Sequence, residues 1–344
     1  MDFLLDPGVT FLNHGSHGAC PAPVFARWQE LQHELERNPV EFLSRRFDTL
    51  LEEARAELAA FVGARTEDLV FVPNATAGLN AVIRSLDLEP GDEVLTTRHE
   101  YGAVTRTWEF AGATLVHAEP DELADAIGPR TRAVSVSHIT SPTALVLPVE
   151  EICAAARAAG VLSVVDGAHV PGQLPLDLER LGADVYAGNC HKWLSAPKGA
   201  GFLWARPEHQ RWIEPLVVSW GYGPDRSFAD RHGWQGTRDP AAVLTIPAAI
   251  DAHAGFDLER CRRLAASFHD RLPPVGPSPA PQMWASEVAT DDPDGLQRRL
   301  FDEHRIEVVV REWEGRSLLR VSIGPYNEEA DVERLLEALD ALTA

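Results

Sequence analysis

Short apolar runs that alternate with amphipathic helical patterns are the feature that most restricts the fold of this chain. They predict strands at Leu69–Val72, Glu93–Thr96, Ala113–His117, Ala133–His138, Leu162–Val165, Val185–Gly188 and Gly201–Ala205. Helical patterns such as Ala77–Leu86 and Val149–Ala159 lie between several of these runs. Strands that are apolar along their whole length and alternate with helices are typical of a parallel sheet covered on both faces. The pattern therefore predicts an α/β domain with a mostly parallel seven-stranded sheet.

The chain changes character after about residue 255. In chain order the patterns predict helix Leu258–Leu272, strand Met283–Val288, helix Asp294–His304, strands Ile306–Val310 and Ser317–Ile323, and a final helix from Glu328. This order predicts a small C-terminal α+β domain (255–344) beside a large domain (41–254) that begins with one long helix at 41–62. We expect the chemistry in the cleft between them, where the carboxyl ends of the strands lie.

Charge and cysteine usage exclude several classes of function. Asp and Glu total 52 against 31 Lys and Arg, a formal charge of −21, which disfavours binding to nucleic acids or anionic membranes. The first residues are acidic and do not resemble a signal peptide, and no run approaches the length of a membrane span. These features predict a cytoplasmic protein without a metal site. The four cysteines agree with both predictions, because they are scattered and form no Cys-X-X-Cys pair: Cys20, Cys153, Cys190 and Cys261.

Three polar segments follow the ends of predicted strands. Asn74 and Thr76 lie at a strand–helix junction, where free backbone N–H groups favour a phosphate, although a helix cap explains them as well. Asp166 ends an apolar strand, so its carboxylate needs either a cation, such as a protonated ring nitrogen, or the start of the next helix. Lys192, beside His191, is either a buried amine that attacks an aldehyde or a snorkelling lysine. Taken together and in this order, the segments match what pyridoxal phosphate requires.

The sequence also resembles the class V aminotransferase family of fold-type I pyridoxal-phosphate enzymes. Within that family it is similar to the isopenicillin N epimerase-like branch. The resemblance runs from about residue 10 to residue 330. Its motifs are Phe11–Gly18 (FLNHGSHG), Asn38–Phe42 (NPVEF), His99–Ala103 (HEYGA), Ser137–Ala144 (SHITSPTA), Val165–His169 (VDGAH), Gly188–Trp193 (GNCHKW), Ala196–Gly201 (APKGAG) and Gly236–Pro240 (GTRDP).

The resemblance implies a fold-type I architecture and pyridoxal 5′-phosphate as the cofactor. Lys192 would hold the cofactor covalently and move protons at the substrate Cα. Asp166 would keep the pyridine nitrogen protonated through a charge-assisted hydrogen bond, and a protonated ring is the better electron sink. Tyr101 would stack on the ring, unless it is an ordinary half-buried tyrosine. With His169, these residues form the expected catalytic set.

The remaining cofactor contacts follow from the same resemblance. The phosphate would be held within one subunit by Ala75, Thr76, Asn189 and His191. Thr237 would reach it from the partner subunit, so a homodimer with shared active sites is expected. Ser141 and His169 would contact the ring hydroxyl, although Ser141 is shorter than the Asn that the related cysteine desulfurases have there.

The substrate is expected to be a small molecule, an amino acid that is bound by its α-carboxylate. The resemblance places Arg320 where a planar two-pronged donor pairs with the α-carboxylate. It also implies that the N-terminal segment (1–40) packs on the cleft, with Asn13 and His14 lining the substrate site. His17 stands where the branch leads us to expect an aromatic residue.

The reaction itself stays open between three chemistries. Epimerisation needs a base on each face of Cα, Lys192 on one and Tyr101, His14, His17 or water on the other. β-Elimination, as in a C–S lyase acting on a cysteine conjugate, needs only Lys192 and a leaving group. Transamination needs a pocket that also accepts a keto acid. We expect an epimerase or racemase first, a C–S lyase second and an aminotransferase third.

Two further alternatives are disfavoured. Cysteine desulfurases use a nucleophilic cysteine shortly before the carboxylate-binding arginine, and the stretch Glu307–Leu319 contains none. A relative that keeps the fold only as a binding module is expected to have lost at least one cofactor residue, and Lys192, Asp166 and Arg320 are all present.

Overall fold

The computed structural model describes residues 2–343, and a seven-stranded sheet forms its centre. The strands of the chain are β1 (Thr10–Phe11), β2 (Leu69–Val72), β3 (Glu93–Thr96), β4 (Thr114–His117), β5 (Thr131–Ser137), β6 (Leu162–Gly167), β7 (Val185–Asn189), β8 (Gly201–Ala205), β9 (Met283–Glu287), β10 (Ile306–Glu307), β11 (Val309–Trp313) and β12 (Arg316–Ser322). The central sheet has the order β2-β8-β7-β6-β5-β3-β4, in which β8 runs antiparallel to the other six strands. The predicted α/β class with a mostly parallel sheet is therefore confirmed.

Helices cover both faces of this sheet. The longer ones are Ala22–Arg37, Phe47–Val62, Ala75–Ile83, Gly102–Phe110, Val149–Ala158, Ile246–Ala254, Leu258–Ala266, Pro293–His304 and Glu329–Thr343. The shorter ones are His14–His17, Pro39–Glu41, Leu178–Leu181, Pro207–Gln210, Phe228–Gly233 and Ala241–Leu244, with a 3₁₀ turn at Thr66–Asp68. No helix among residues 2–343 is long and apolar enough to cross a bilayer.

The apolar strands are buried because successive side chains enter two different cores. In β2, Phe71 packs in the cluster on one face, whereas Val70 and Val72 pack in the cluster on the other. In β6, Val164 and Val165 divide in the same way. This alternation explains why these strands are apolar along their whole length.

The long helix predicted at 41–62 is interrupted. Residues Phe42–Arg46 form a π-helical turn, and the regular α-helix begins at Phe47 and ends before Gly63, whose φ of 63° stops it. A single inserted turn of this kind does not change the apolar pattern enough to be read from the sequence.

A second sheet forms the C-terminal part of the molecule. Strands β9, β11 and β12 pair antiparallel in the order β11-β12-β9, and the apolar cluster behind them includes Trp284 and Leu319. The strand predicted at Ile306–Val310 is divided, because β10 pairs with the N-terminal β1 and β11 pairs with β12. The small α+β domain of the expected fold is therefore present, and the N-terminal segment is attached to it.

Candidate active site

One cavity of about 330 Å³ lies at the carboxyl ends of β5, β6 and β7, against the C-terminal sheet. Ten of the residues expected at the site line it: Ala75, Thr76, Tyr101, Ser141, Asp166, His169, Asn189, His191, Lys192 and Arg320. Asn13, His14 and Thr237 do not belong to its lining. The residues come from segments far apart in the sequence, and the parallel strands bring them together.

Lys192 follows β7 and points its amine into the cavity. Its Nζ lies 3.0 Å from Nε2 of His169. Burial lowers the pKa of Lys192 to about 7, and the positive charge of Arg320 acts in the same direction. A lysine in this state is a neutral amine in much of the physiological range, as a nucleophile requires.

The ring of His169 is oriented by a tryptophan. Nε1 of Trp193, which can only donate, lies 3.4 Å from Nδ1 of His169. Nδ1 is therefore the acceptor, and the proton of the neutral ring is on Nε2, where it can be donated to the Lys192 amine. Burial and the charge of Lys192 hold the pKa of His169 well below its usual range.

Asp166 is the only carboxylate among the lining residues of the cavity within residues 2–343. It ends β6, and its Oδ1 accepts a hydrogen bond of 2.9 Å from the backbone N–H of Ala168. Burial raises the pKa of Asp166. The Ala168 N–H and the charge of Lys192 lower it by less than burial raises it. A protonated ring nitrogen would supply the missing cation, so this position fits pyridoxal phosphate.

The start of the helix Ala75–Ile83 forms the opposite side of the cavity. The Asn74 side chain caps this helix by accepting from the N–H of Ala77 at 2.9 Å, as the cap interpretation predicted. Oδ1 of Asn189 accepts from the N–H of Ala75 at 2.8 Å, which leaves the Asn189 amide N–H₂ for another acceptor. These donors, with the helix dipole, fit the phosphate of the cofactor.

Arg320 is a fully buried cation on β12. Its Nη1 donates to the carbonyl and the hydroxyl of Ser141 at 2.6 and 3.1 Å, and its Nη2 donates to the hydroxyl of Ser16 at 2.8 Å. Nε has no partner among the described residues, and no carboxylate there lies within ion-pair distance of the side chain. Burial lowers the pKa of Arg320 to about 9. A substrate carboxylate would supply the missing anion.

Three expected site residues make contacts other than the expected ones: Ser141, Asn13 and His14. The Ser141 hydroxyl accepts from Arg320, so its expected contact with the ring hydroxyl has a competitor. Asn13 bonds to Glu307 at 3.3 Å, and His14 donates from Nε2 to the Lys192 carbonyl at 3.1 Å. Both lie behind the cavity wall, and Ser16 and His17 form the lining instead.

Thr237 lies in a separate groove of about 660 Å³, lined also by Trp220 and Phe47. Its side chain is exposed. Several apolar side chains near it in the sequence are exposed as well, with Val218 at 64% and Trp220 at 91%. Exposed apolar surface of this kind marks an interaction site.

Two charged residues in or near the cavity lining were not identified from the sequence. Arg311 on β11 lines the cavity. Glu100 is buried and accepts hydrogen bonds from Thr97 at 2.7 Å and from Ser137, a lining residue, at 2.6 Å. The turn at Gly315 was a usable signal for Arg311, because a hairpin there places residues 311 and 318 opposite each other, on the face of Arg320.

Comparison with known proteins finds a family model and relatives that match most of the chain. A family model described as Aminotransferase class-V matches residues 12–273. Isopenicillin N epimerase of Amycolatopsis lactamdurans is 40% identical over 98% of this chain and 96% of that protein. The protein of that name from Streptomyces clavuligerus is 38% identical over 99% and 96%. Putative L-cysteine desulfhydrase 1 of Oryza sativa subsp. japonica is 34% identical over 98% and 84%.

Solved structures share the fold. A cystine C–S lyase in complex with cysteine persulfide superposes with a TM-score of 0.85 at 24% identity, over 97% of both chains. A cysteine desulfurase from Thermococcus onnurineus NA1 gives a TM-score of 0.86 at 22% identity, over 99% of this chain and 96% of that one. At this identity the likeness concerns the arrangement of the two sheets and their helices.

Proposed function

Because the chain belongs to the aminotransferase class-V family, we propose that it is a pyridoxal-phosphate enzyme that epimerises an amino acid at Cα. The observation that supports this most directly is one cavity in which Lys192, Asp166 and the unpaired Arg320 face each other. The two relatives named isopenicillin N epimerase, at 40% and 38% identity, favour epimerisation over other reactions.

When bound, pyridoxal 5′-phosphate supplies an aldehyde for the substrate amine and a ring that accepts electrons from Cα. Arg320 binds and orients the substrate carboxylate through its unpaired Nε and the second N–H of Nη2. Asp166 holds a proton on the ring nitrogen. Lys192, with His169 at 3.0 Å from its amine, takes a proton from Cα on one face or returns it there.

The second face of Cα needs another proton carrier. Tyr101 and His17 line the cavity and are exposed to solvent, so each can exchange a proton with water. His14 is set aside, since its two ring nitrogens are bonded to the Lys192 carbonyl and the Tyr326 hydroxyl behind the wall. Tyr101→Phe and His17→Gln variants separate these two side chains, and activity retained by both variants would assign the task to water.

A C–S lyase is the second candidate, because a relative named putative L-cysteine desulfhydrase is 34% identical to nearly the whole chain. An aminotransferase is third. A cysteine desulfurase is disfavoured by the site, since the β11–β12 hairpin holds no cysteine and Cys190 is fully buried. Burial raises the pKa of the Cys190 thiol, so it is a poor nucleophile.

One experiment separates the three reactions. The holoenzyme is incubated in D₂O with isopenicillin N, with chiral amino acids and with S-substituted cysteines. Deuterium at Cα with inversion of configuration is the expected result. Pyruvate and ammonia from the cysteines without inversion would assign the lyase, and turnover that depends on an added keto acid would assign the aminotransferase.

We further propose a cytoplasmic homodimer in which each Thr237 serves the cofactor phosphate of the partner subunit. The exposure of Thr237 and the apolar side chains of Val218 and Trp220 support it, because a second copy would bury them. The four cysteines are free, which suits a reducing compartment. A monomer with fully bound cofactor at working concentration would rule out the shared site.

A further inference from the structure

The cavity contains a second arginine for which the proposed reaction has no task. Arg311 lines the cavity from β11 and is half-buried. It makes no hydrogen bond or ion pair within residues 2–343, and its Nε is buried without a partner. A guanidinium that gives up part of its hydration without a partner is costly, unless a ligand supplies one.

Arg311 and Arg320 share one face of the C-terminal sheet. In the antiparallel register Arg311 lies opposite Leu318, and Arg320 lies opposite Val309. The two arginines are therefore diagonal neighbours, with Cα atoms roughly 7–8 Å apart. They repel each other, and the charge of Arg311 helps to lower the pKa of Arg320. Neither arginine forms an ion pair within residues 2–343 that would offset this repulsion.

Arg320 has donors left for one carboxylate. Three of its five N–H groups are used by Ser141 and Ser16. The remaining ones, on Nε and Nη2, form one fork that fits one α-carboxylate. Arg311 still has all of its donors.

The charges of the cavity also leave Arg311 without a partner. Asp166 matches the ring nitrogen, the helix start at Ala75 matches the phosphate, and Arg320 matches the α-carboxylate. Arg311 then has no anionic partner among residues 2–343 and none on an amino acid with a neutral side chain. In a chain of charge −21, an uncompensated cation at this place indicates an anionic ligand group.

We infer that Arg311 binds a second carboxylate on the substrate side chain, so that the enzyme selects amino acids with an anionic side chain. This inference rests on the proposed function only in taking Arg320 as the site of the α-carboxylate. Arg311 is then the residue that determines which substrate side chains are accepted.

The test uses the holoenzyme and acids without an amino group, which bind but cannot react. Calorimetry in a buffer free of phosphate and sulfate compares propionate, butyrate and hexanoate with succinate, glutarate and adipate. We expect one dicarboxylate to bind roughly 10- to 100-fold more tightly than its monocarboxylate partner, the range of one charge-assisted hydrogen-bonded pair. The chain length that binds best measures the side chain that the cavity accepts.

Three variants locate the effect. Arg311→Gln is expected to abolish the preference for dicarboxylates and leave monocarboxylate affinity within about twofold. Arg320→Gln is expected to weaken both classes. Arg316→Gln is the control, because it removes one charge from the same hairpin, where Arg316 pairs with Glu287 outside the cavity.

Two results would overturn the inference. Equal affinity of the parent enzyme for both classes would mean that there is no second anion subsite. Equal weakening of both classes by Arg311→Gln would mean that the two arginines share one carboxylate. These acids do not react, so a failure to epimerise any amino acid overturns the proposed function and leaves this binding result standing.

Discussion

At the scale of single residues, the environment of Lys192 predicts how loading of the cofactor depends on pH. Burial and the charge of Arg320 lower the pKa of this amine to about 7. Only the neutral amine attacks an aldehyde, so the rate at which the apoenzyme takes up cofactor should rise up to about pH 7 and then level off. Removing a neighbouring positive charge stabilises the ammonium form and raises the pKa of Lys192. Arg320→Gln should therefore move the profile to higher pH, as followed by stopped-flow absorbance.

Protonation of the free cofactor also changes the rate with pH, and it does so equally for both proteins. The ratio of the variant rate to the parent rate at each pH therefore removes this contribution. Arg316→Gln, outside the cavity, should leave the profile unchanged. A shift to lower pH in Arg320→Gln would contradict the assigned cause of the low pKa.

Glu100 predicts a pH dependence of stability. Burial raises its pKa from 4.5 to about 7, against the opposing effect of the Ser137 and Thr97 hydroxyls. The folded protein therefore keeps a proton that the unfolded chain loses, and the contribution of this group to stability falls as the pH rises from 4.5 to about 7. Glu100→Gln cannot ionise. Its stability relative to the parent should increase between pH 5 and pH 8, by at most roughly 3 kcal/mol.

Thermal unfolding of both proteins at pH 5 and pH 8, at one protein concentration, measures this difference. A variant that is equally destabilised at the two pH values would show that Glu100 is ionised throughout and held by its hydrogen bonds alone.

Which residues of the site could be recognised depends on how local their signals are. Asp166 and Lys192 could be named from the sequence because each follows a short apolar run, with small residues after Asp166 and a histidine beside Lys192. Arg311 was missed, since its position in the cavity depends on the pairing of β11 with β12, and the turn at Gly315 was the signal for that pairing. Glu100 was missed as well, because the residues around it do not distinguish a buried glutamate from an exposed one. Its carboxylate is paired with Ser137, which lies far away in the sequence on β5.

At the scale of elements, the contact between the first short helix and the lysine segment predicts a sensitive glycine. Gly18 ends the helix His14–His17 with φ 70° and ψ 165°, a conformation that favours glycine. A Cβ there would lie 1.9 Å from the carbonyl oxygen of His191 and 2.7 Å from that of Lys192. Gly18→Ala should therefore displace the lysine segment, lower the thermal stability and weaken cofactor binding.

Gly112→Ala is the matched control for this change. Gly112 also has a positive φ, of 89°, but nothing lies within 4 Å of the added Cβ. It should show the loss from backbone strain, on the order of 1–3 kcal/mol, without a change in cofactor affinity. Equal cofactor affinity in Gly18→Ala and the parent would show that the lysine segment does not depend on this contact.

The elements themselves were predictable where the chain has an unambiguous period. Strands β2, β3 and β8 have the predicted bounds, because each is a short apolar run between turn residues. The helix Ala22–Arg37 was not predicted, since only Val24, Leu31 and Leu35 of its residues are buried and the apolar stripe is thin. The division of 306–310 between β10 and β11 depends on the distant partners β1 and β12, which no local pattern encodes.

At the scale of the whole molecule, the sheet class followed from the alternation of strands and helices, and the family resemblance is confirmed by the Aminotransferase class-V match. The strand order did not follow, because parallel strands separated by helices can be arranged in several ways. Whether two copies share their active sites could not be predicted from local sequence patterns either. The exposed Thr237 and its separation from the cavity make this question testable.

A shared active site predicts that two inactive variants restore each other. Lys192→Ala lacks the amine that holds the cofactor, and Thr237→Asp places a carboxylate where the partner's phosphate would bind. In a mixed dimer, the site that keeps Lys192 would receive Thr237 from the other subunit and be complete. Random pairing of equal amounts makes half of the dimers mixed, each with one complete site of two, so activity should return to about a quarter of the parent's.

A second pair of variants separates assembly from sharing. Lys192 and Arg320 line the cavity of the same chain, so a mixed dimer of Lys192→Ala and Arg320→Gln has no complete site and should stay inactive. Co-expression with two different affinity tags isolates the mixed dimers for both pairs. Recovery in the first pair alone places Thr237 at the partner's cofactor. Mixed dimers that form without recovery would mean that each subunit holds its phosphate by itself, through the helix start at Ala75 and the side chain of Asn189.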